Sequence, residues 1–118
     1  TPTIVMRDDE LFFTTGSPGG SRIISAVLQS ILNIIDFEMN LEEANKSKRI
    51  HHQWQPDILQ IEFSLNNDIR QQLLNLNYKV EVINPATCLQ TIMFKDDKYY
   101  GYGDFRRPDA FASGDIYD

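Results

Sequence analysis

Three glycines and a proline fall within seven residues, Gly16-Ser17-Pro18-Gly19-Gly20-Ser21-Arg22, at the point where a strand-like run gives way to a long helical pattern. Gly19 and Gly20 have no Cβ, so the backbone there can come close to a ligand. The first N–H groups of a helix lack intrahelical partners, and the helix dipole is positive at that end. Such a turn can hold a phosphate, a carboxylate or a developing oxyanion. It lacks the Gly-Lys-Ser/Thr ending of a P-loop and the glycine spacing of the dinucleotide fingerprint. A tight strand-to-helix connection with no ligand fits the same residues, and local chemistry leaves both readings open.

Four other places have the right residue types for chemistry. His51-His52 beside Trp54 suggests a metal. Adjacent histidines on an extended chain point to opposite faces, so packing is expected and no metal site is assigned. Thr1 could serve as an N-terminal nucleophile with its own amine as base. Cys88 has no basic or helix-start context that would lower its pKa, and it is expected to be a buried small residue. Arg106 and Arg107 could bind a carboxylate, but an ion pair with Asp104 or Asp109 is expected. No cofactor is called for.

These residues need elements to position them. Thr3 to Arg7 and Leu11 to Thr15 flank Asp8-Asp9-Glu10 and read as a β-hairpin. Ser21 to about Phe37 reads as a helix. Its polar residues Arg22, Ser25, Gln29, Asn33 and Asp36 recur every three or four positions, one narrow stripe on an otherwise apolar helix that should lie between layers. Asn40 and Glu43 have capping-box spacing for a short helix ending at Lys46 to Arg49. An irregular stretch from Ile50 to Asp57 leads to a strand over Ile58 to Phe63. Ser64 to Asp68 opens a third helix with Leu65, Ile69, Leu73 and Leu76 as its stripe and Asn77 as a left-handed end. Lys79 to Val82 alternates like a strand. Thr91 to Lys95, Asp96-Asp97-Lys98 and Tyr99 to Gly103 echo the first hairpin, which suggests neighbouring antiparallel strands. Asp104 to Asp118 reads as an ordered loop and a fraying end. The order β-β-α-α-β-α-β-β-β implies an α+β fold, a mostly antiparallel sheet with helices on one face.

A length of 118 residues allows one domain or a fragment of one, 1–118. At 42% apolar and 24% charged residues the composition is that of a globular chain, not a disordered one. A net charge of −6 with no long basic run argues against a nucleic-acid partner. One cysteine excludes an intrachain disulfide and a cysteine-based zinc cluster. The longest apolar stretch, Ile23 to Met39, is interrupted too often to span a membrane. The chain carries neither signal peptide nor initiator Met.

Several segments together resemble the γ-glutamyltranspeptidase (glutathione hydrolase) family. They are Pro2 to Val5, Thr15-Gly16-Ser17-Pro18-Gly19-Gly20-Ser21-Arg22-Ile23-Ile24, Val27 to Gln29, Arg49-Ile50-His51-His52-Gln53-Trp54-Gln55-Pro56-Asp57, and Gly103 to Ala110. Thr87-Cys88-Leu89-Gln90 is a loose version of the family's Gly-Ser-Thr-Gln segment, and Phe105 stands where the family has proline.

The resemblance implies an N-terminal nucleophile hydrolase built as an αββα sandwich. It implies a zymogen that cleaves itself into a large and a small subunit, exposing a threonine that attacks the γ-glutamyl amide. Glutathione or another γ-glutamyl compound would be the donor, and water, an amino acid or a peptide the acceptor. Gly19 and Gly20 would supply N–H groups to the oxyanion. The family's catalytic threonine lies upstream in a Thr-Thr-His context that nothing here matches, and the Ser-Ser pair that binds the substrate carboxylate is also missing. Thr1 is therefore not expected to be the nucleophile. The chain is expected to be the C-terminal part of a small subunit, inactive alone, whose partner is the upstream remainder of the enzyme. A periplasmic or extracellular location is implied by the family alone. The alternative is a non-catalytic anion-binding or interaction domain that uses the glycine turn.

Overall fold

The computed structural model describes residues 2–63 and 66–114. Its elements run β1 (Thr3–Arg7), β2 (Glu10–Gly16), α1 (Arg22–Ile35), α2 (Leu41–Lys46), β3 (Ile50–His51), β4 (Leu59–Glu62), α3 (Asn67–Asn75), β5 (Val80–Ile83), β6 (Gln90–Lys95) and β7 (Lys98–Gly103).

Two aspartates set each hairpin. Asp8 and Asp9 have φ of 51° and 65°, and Asp96 and Asp97 have 52° and 57°. Positive φ at both central residues is the two-residue turn whose twist suits antiparallel strands. Arg7 therefore pairs with Glu10, and Lys95 with Lys98. The third turn residue expected in each hairpin is instead the first residue of a strand. The two hairpins lie side by side as expected: the sheet order is β1-β2-β6-β7, antiparallel throughout, with Thr15 opposite Thr91.

A second sheet, β3-β4-β5, corrects the sequence reading. Ile50 and His51, expected to be irregular, pair antiparallel with Ile61 and Gln60. β4 pairs with β5 in parallel, and α3 is the crossover between them. So short a strand has too little pattern to read, and only its pairing reveals it.

One face of the larger sheet packs on α1 and α2. Phe13, Met93, Ile34 and Ala44 form one buried cluster, and Ala26, Val27 and Leu89 another. The opposite face carries Ile4 and Ile92, both exposed. α1 buries Ala26, Val27, Ser30 and Ile34 but leaves Ile24, Leu28, Leu32 and Ile35 in solvent. Apolar side chains thus lie open on both outer faces of a helix-on-sheet layer. The expected burial of α1 between layers is half met within this chain.

The polar stripe of α1 turns inward. The Arg22 guanidinium donates to Gln60 Oε1 at 2.8 Å, Ser25 meets His51, and the Gln29 amide donates to the Ile50 carbonyl at 2.7 Å and accepts its N–H at 3.0 Å. Asn40 caps α2 in a complete capping box with Glu43. Asn77 has φ of 65°, the left-handed end expected after α3. The stripe assigned to α3 is only partly used: Leu73 is half-buried, Ile69 and Leu76 are exposed, and Leu65 lies outside the described residues.

Candidate functional site: the glycine turn and its clamp

β2 delivers the chain to Gly16, and α1 takes it up at Arg22. Between them Gly19 has φ of 137° and Gly20 φ of 61°. Side chains rarely adopt either value, so two consecutive glycines are what the turn requires. The carbonyl of Gly19 accepts the N–H of Arg22 at 3.2 Å, and that of Gly20 accepts Ile23 at 3.2 Å. The carbonyls are thus committed to the start of the helix. Neither the N–H of Gly19 nor that of Gly20 donates to another described residue.

The start of α1 is also open. Ser21 makes no side-chain cap, and the first turn holds no acid. Ser21 Oγ instead donates to Gln53 Oε1 at 2.9 Å. The positive end of the dipole is therefore not offset by any acid of the helix's own first turn. A cavity of about 20 Å³, room for a single water, lies between α1 and the second sheet, where Arg22, Ala26, His51, Gln60 and Thr87 line it.

A second segment grips the turn. The Cys88 N–H donates to Ser17 Oγ at 2.9 Å. A Cβ placed on Gly19 would lie 2.7 Å from the Ala86 carbonyl oxygen and 2.7 Å from Thr87 Cγ2. On Gly20 a Cβ would meet nothing within 4 Å. Gly19 is therefore demanded by packing as well as by φ, and Gly20 by φ alone.

Behind this segment lies a buried charge cluster. Arg49 Nη2 donates to Asp104 Oδ2 at 2.6 Å, and its Nη1 donates to Thr87 Oγ1 at 3.0 Å. Asp104 Oδ2 also accepts the Leu89 N–H at 2.8 Å, while Oδ1 accepts Arg106 Nη1 at 3.1 Å. Arg106 makes a two-pronged pair with Glu62, Nε to Oε1 at 2.8 Å and Nη2 to Oε2 at 2.5 Å. Burial opposes every charge here, and pairing answers it unequally. Burial pulls the Arg49 guanidinium below its ordinary value despite Asp104. Burial would raise the Asp104 carboxyl, but the Arg49 charge and the bonds it accepts hold it below the ordinary 3.8. Burial would lower Arg106 too, and Glu62 holds it above its usual value.

The expected Arg106–Asp104 pair is present, and Glu62 and Arg49 complete a cluster that the sequence reading missed. The acids and arginines come from three separate segments, so local spacing reveals only the Asp104–Arg106 pair.

The two histidines part company as their alternation requires. His51 is buried, with Ser25 Oγ 2.7 Å from Nδ1 and Gln53 Oε1 3.0 Å from Nε2. The Gln53 amide nitrogen donates to the Gln55 carbonyl at 3.0 Å, so its oxygen is the atom facing His51. Nε2 therefore carries the proton, and Ser25 donates to Nδ1. His52 turns the other way, to Asp57 at 3.2 Å. Cys88 is buried, as expected. Thr1 lies outside the described residues, as do residues 115–118, where the fraying end was expected.

Known proteins share this fold and much of this sequence. Residues 1–114 match the family model described as gamma-glutamyltranspeptidase. The chain belongs to the γ-glutamyltranspeptidase family. It is 41% identical over 115 residues to the glutathione hydrolase proenzyme of Escherichia coli, a match covering 97% of this chain and 20% of that protein. A solved γ-glutamyltranspeptidase mutant from Helicobacter pylori superposes with a TM-score of 0.86 at 38% identity, over 91% of this chain and 60% of that one. Cephalosporin acylase from Bacillus halodurans, at 22% identity and a TM-score of 0.86, shares the fold over 98% of this chain. The chain spans about a fifth of the length of the curated relatives it matches first. The helix-on-sheet layer thus matches a portion of each of those longer proteins.

Proposed function

We infer that this chain is the C-terminal part of the small subunit of a γ-glutamyltransferase (glutathione hydrolase) and that its glycine turn supplies the oxyanion hole. One observation carries the reading: two adjacent N–H groups, of Gly19 and Gly20, lie at an uncapped, acid-free helix start and donate to no described residue. Attack on a γ-glutamyl amide turns the carbonyl oxygen into an oxyanion. Donors already fixed in place stabilise that charge without reorganising at the moment of reaction. The turn is built to be fixed, with its carbonyls bound to the helix and its Gly19 side sealed by Ala86 and Thr87.

The nucleophilic threonine comes from the upstream remainder of the enzyme, as in the family this sequence resembles. The same oxyanion site serves twice, once as the γ-glutamyl-enzyme forms and once as water, an amino acid or a peptide takes the γ-glutamyl group. The family membership, and the glutathione hydrolase name of its relatives, support glutathione or another γ-glutamyl compound as donor.

Gly20→Val in the full-length protein tests the site. A branched side chain at φ of 61° twists the turn and projects into the open space above it. Turnover of a γ-glutamyl anilide should fall by roughly 10²–10³, the usual effect of losing one oxyanion donor, with the fold retained. Undiminished turnover would sink the assignment.

A further inference from the structure

We propose that Thr87 is a positioning residue for the glycine turn, its methyl group forming the wall against which Gly19 is seated. This rests on the oxyanion reading above.

Thr87 is buried, and its Cγ2 occupies the space that a Cβ on Gly19 would need. Its rotamer is held from the other side. Arg49 Nη1 donates to Thr87 Oγ1 at 3.0 Å and to the Thr87 carbonyl at 3.4 Å. With Oγ1 fixed, χ1 cannot turn without breaking that bond, and the methyl stays on Gly19. Asp104 holds Arg49 and the Leu89 N–H through one oxygen. The Cys88 N–H, between them in sequence, holds Ser17. Residues 87 to 89 are therefore fixed to the charge cluster on one side and to the turn on the other. Removing the methyl leaves Gly19, the least restrained kind of residue, with only the Ala86 carbonyl beside it and its peptide planes looser. Donors then lose their aim at an oxyanion, and the loss is felt in the transition state more than in substrate binding.

Two variants separate the methyl from the hydroxyl. Thr87→Ser keeps the bond to Arg49 and removes the wall. Thr87→Val keeps the wall and removes the bond. Both are measured in the full-length protein with a γ-glutamyl anilide, with Gly20→Val alongside and thermal melting of each preparation. Thr87→Ser should lose about 10-fold in kcat with KM unchanged and melt close to the parent. Thr87→Val should melt lower, because a buried guanidinium loses an acceptor, yet keep kcat within about 2-fold. Opposite rankings of turnover and stability are what a merely structural threonine would not produce. Parental kcat in Thr87→Ser, or kcat falling with melting temperature in Thr87→Val, overturns the role. If Gly20→Val is inactive while Thr87→Ser turns over normally, the positioning role alone fails. If Gly20→Val is fully active, the oxyanion reading fails and this inference with it.

Discussion

Arg49 and Asp104 lie 55 positions apart in the chain and meet at 2.6 Å, with side chains 7% and 0% exposed. Their contact joins the residue just before β3 to the segment that follows the last hairpin. Through Leu89 and Thr87 it also fixes the loop that seals the glycine turn.

Breaking that pair should be costly. Asp104→Asn leaves Arg49 buried without its counter-charge and weakens the contact to Arg106. A loss of about 3–5 kcal/mol is expected, since an uncompensated buried charge is worse than an exposed one. Chemical unfolding of the full-length variant measures it, and a loss under about 1 kcal/mol would show the pair to be energetically idle.

The same carboxyl gives a pH signature. Asp104 titrates below its ordinary 3.8 in the folded state. The unfolded chain therefore binds the proton more readily, and stability falls as protons are added. The contribution of the pair is complete above the ordinary value and is lost as pH falls through the depressed one. An acid titration of Tm should drop below about pH 4, and the drop should be shallower in Asp104→Asn. Parallel curves would place the acid sensitivity elsewhere.

The two glycines should respond differently to alanine. At Gly20 the methyl enters open space, and only the left-handed backbone opposes it, at about 1 kcal/mol. At Gly19 it enters a backbone carbonyl and a side chain at 2.7 Å, so overpacking adds about 1–3 kcal/mol. Comparing the two melts checks this ordering, and equal losses would mean the clamp yields freely.

The 118 residues alone should neither turn over a γ-glutamyl anilide nor remain dispersed. Ile24 is 77% exposed and Ile4 67%, on opposite outer faces of the layer. Surfaces of that kind seek a partner. Sedimentation should show self-association, and an apolar dye should bind. A well-behaved, active monomer would contradict both the missing nucleophile and the missing layers.

The sequence by itself determined what depends on near neighbours. Paired aspartates made both hairpins, Asn40 with Glu43 made a cap, and consecutive glycines made a tight strand-to-helix turn. Each is decided within four residues, where backbone preference and a short side-chain bond suffice. The likeness of several segments to the γ-glutamyltranspeptidase family was legible for the same reason. Tertiary structure alone decided that Ile50-His51 is a strand, because Ile61 and Gln60 complete it. It also decided that the polar stripe of α1 faces inward and that Arg49, Glu62, Asp104 and Arg106 share one buried site. Charges far apart in sequence have no periodicity to read. They are brought together because each must be paired once the apolar faces around it have closed.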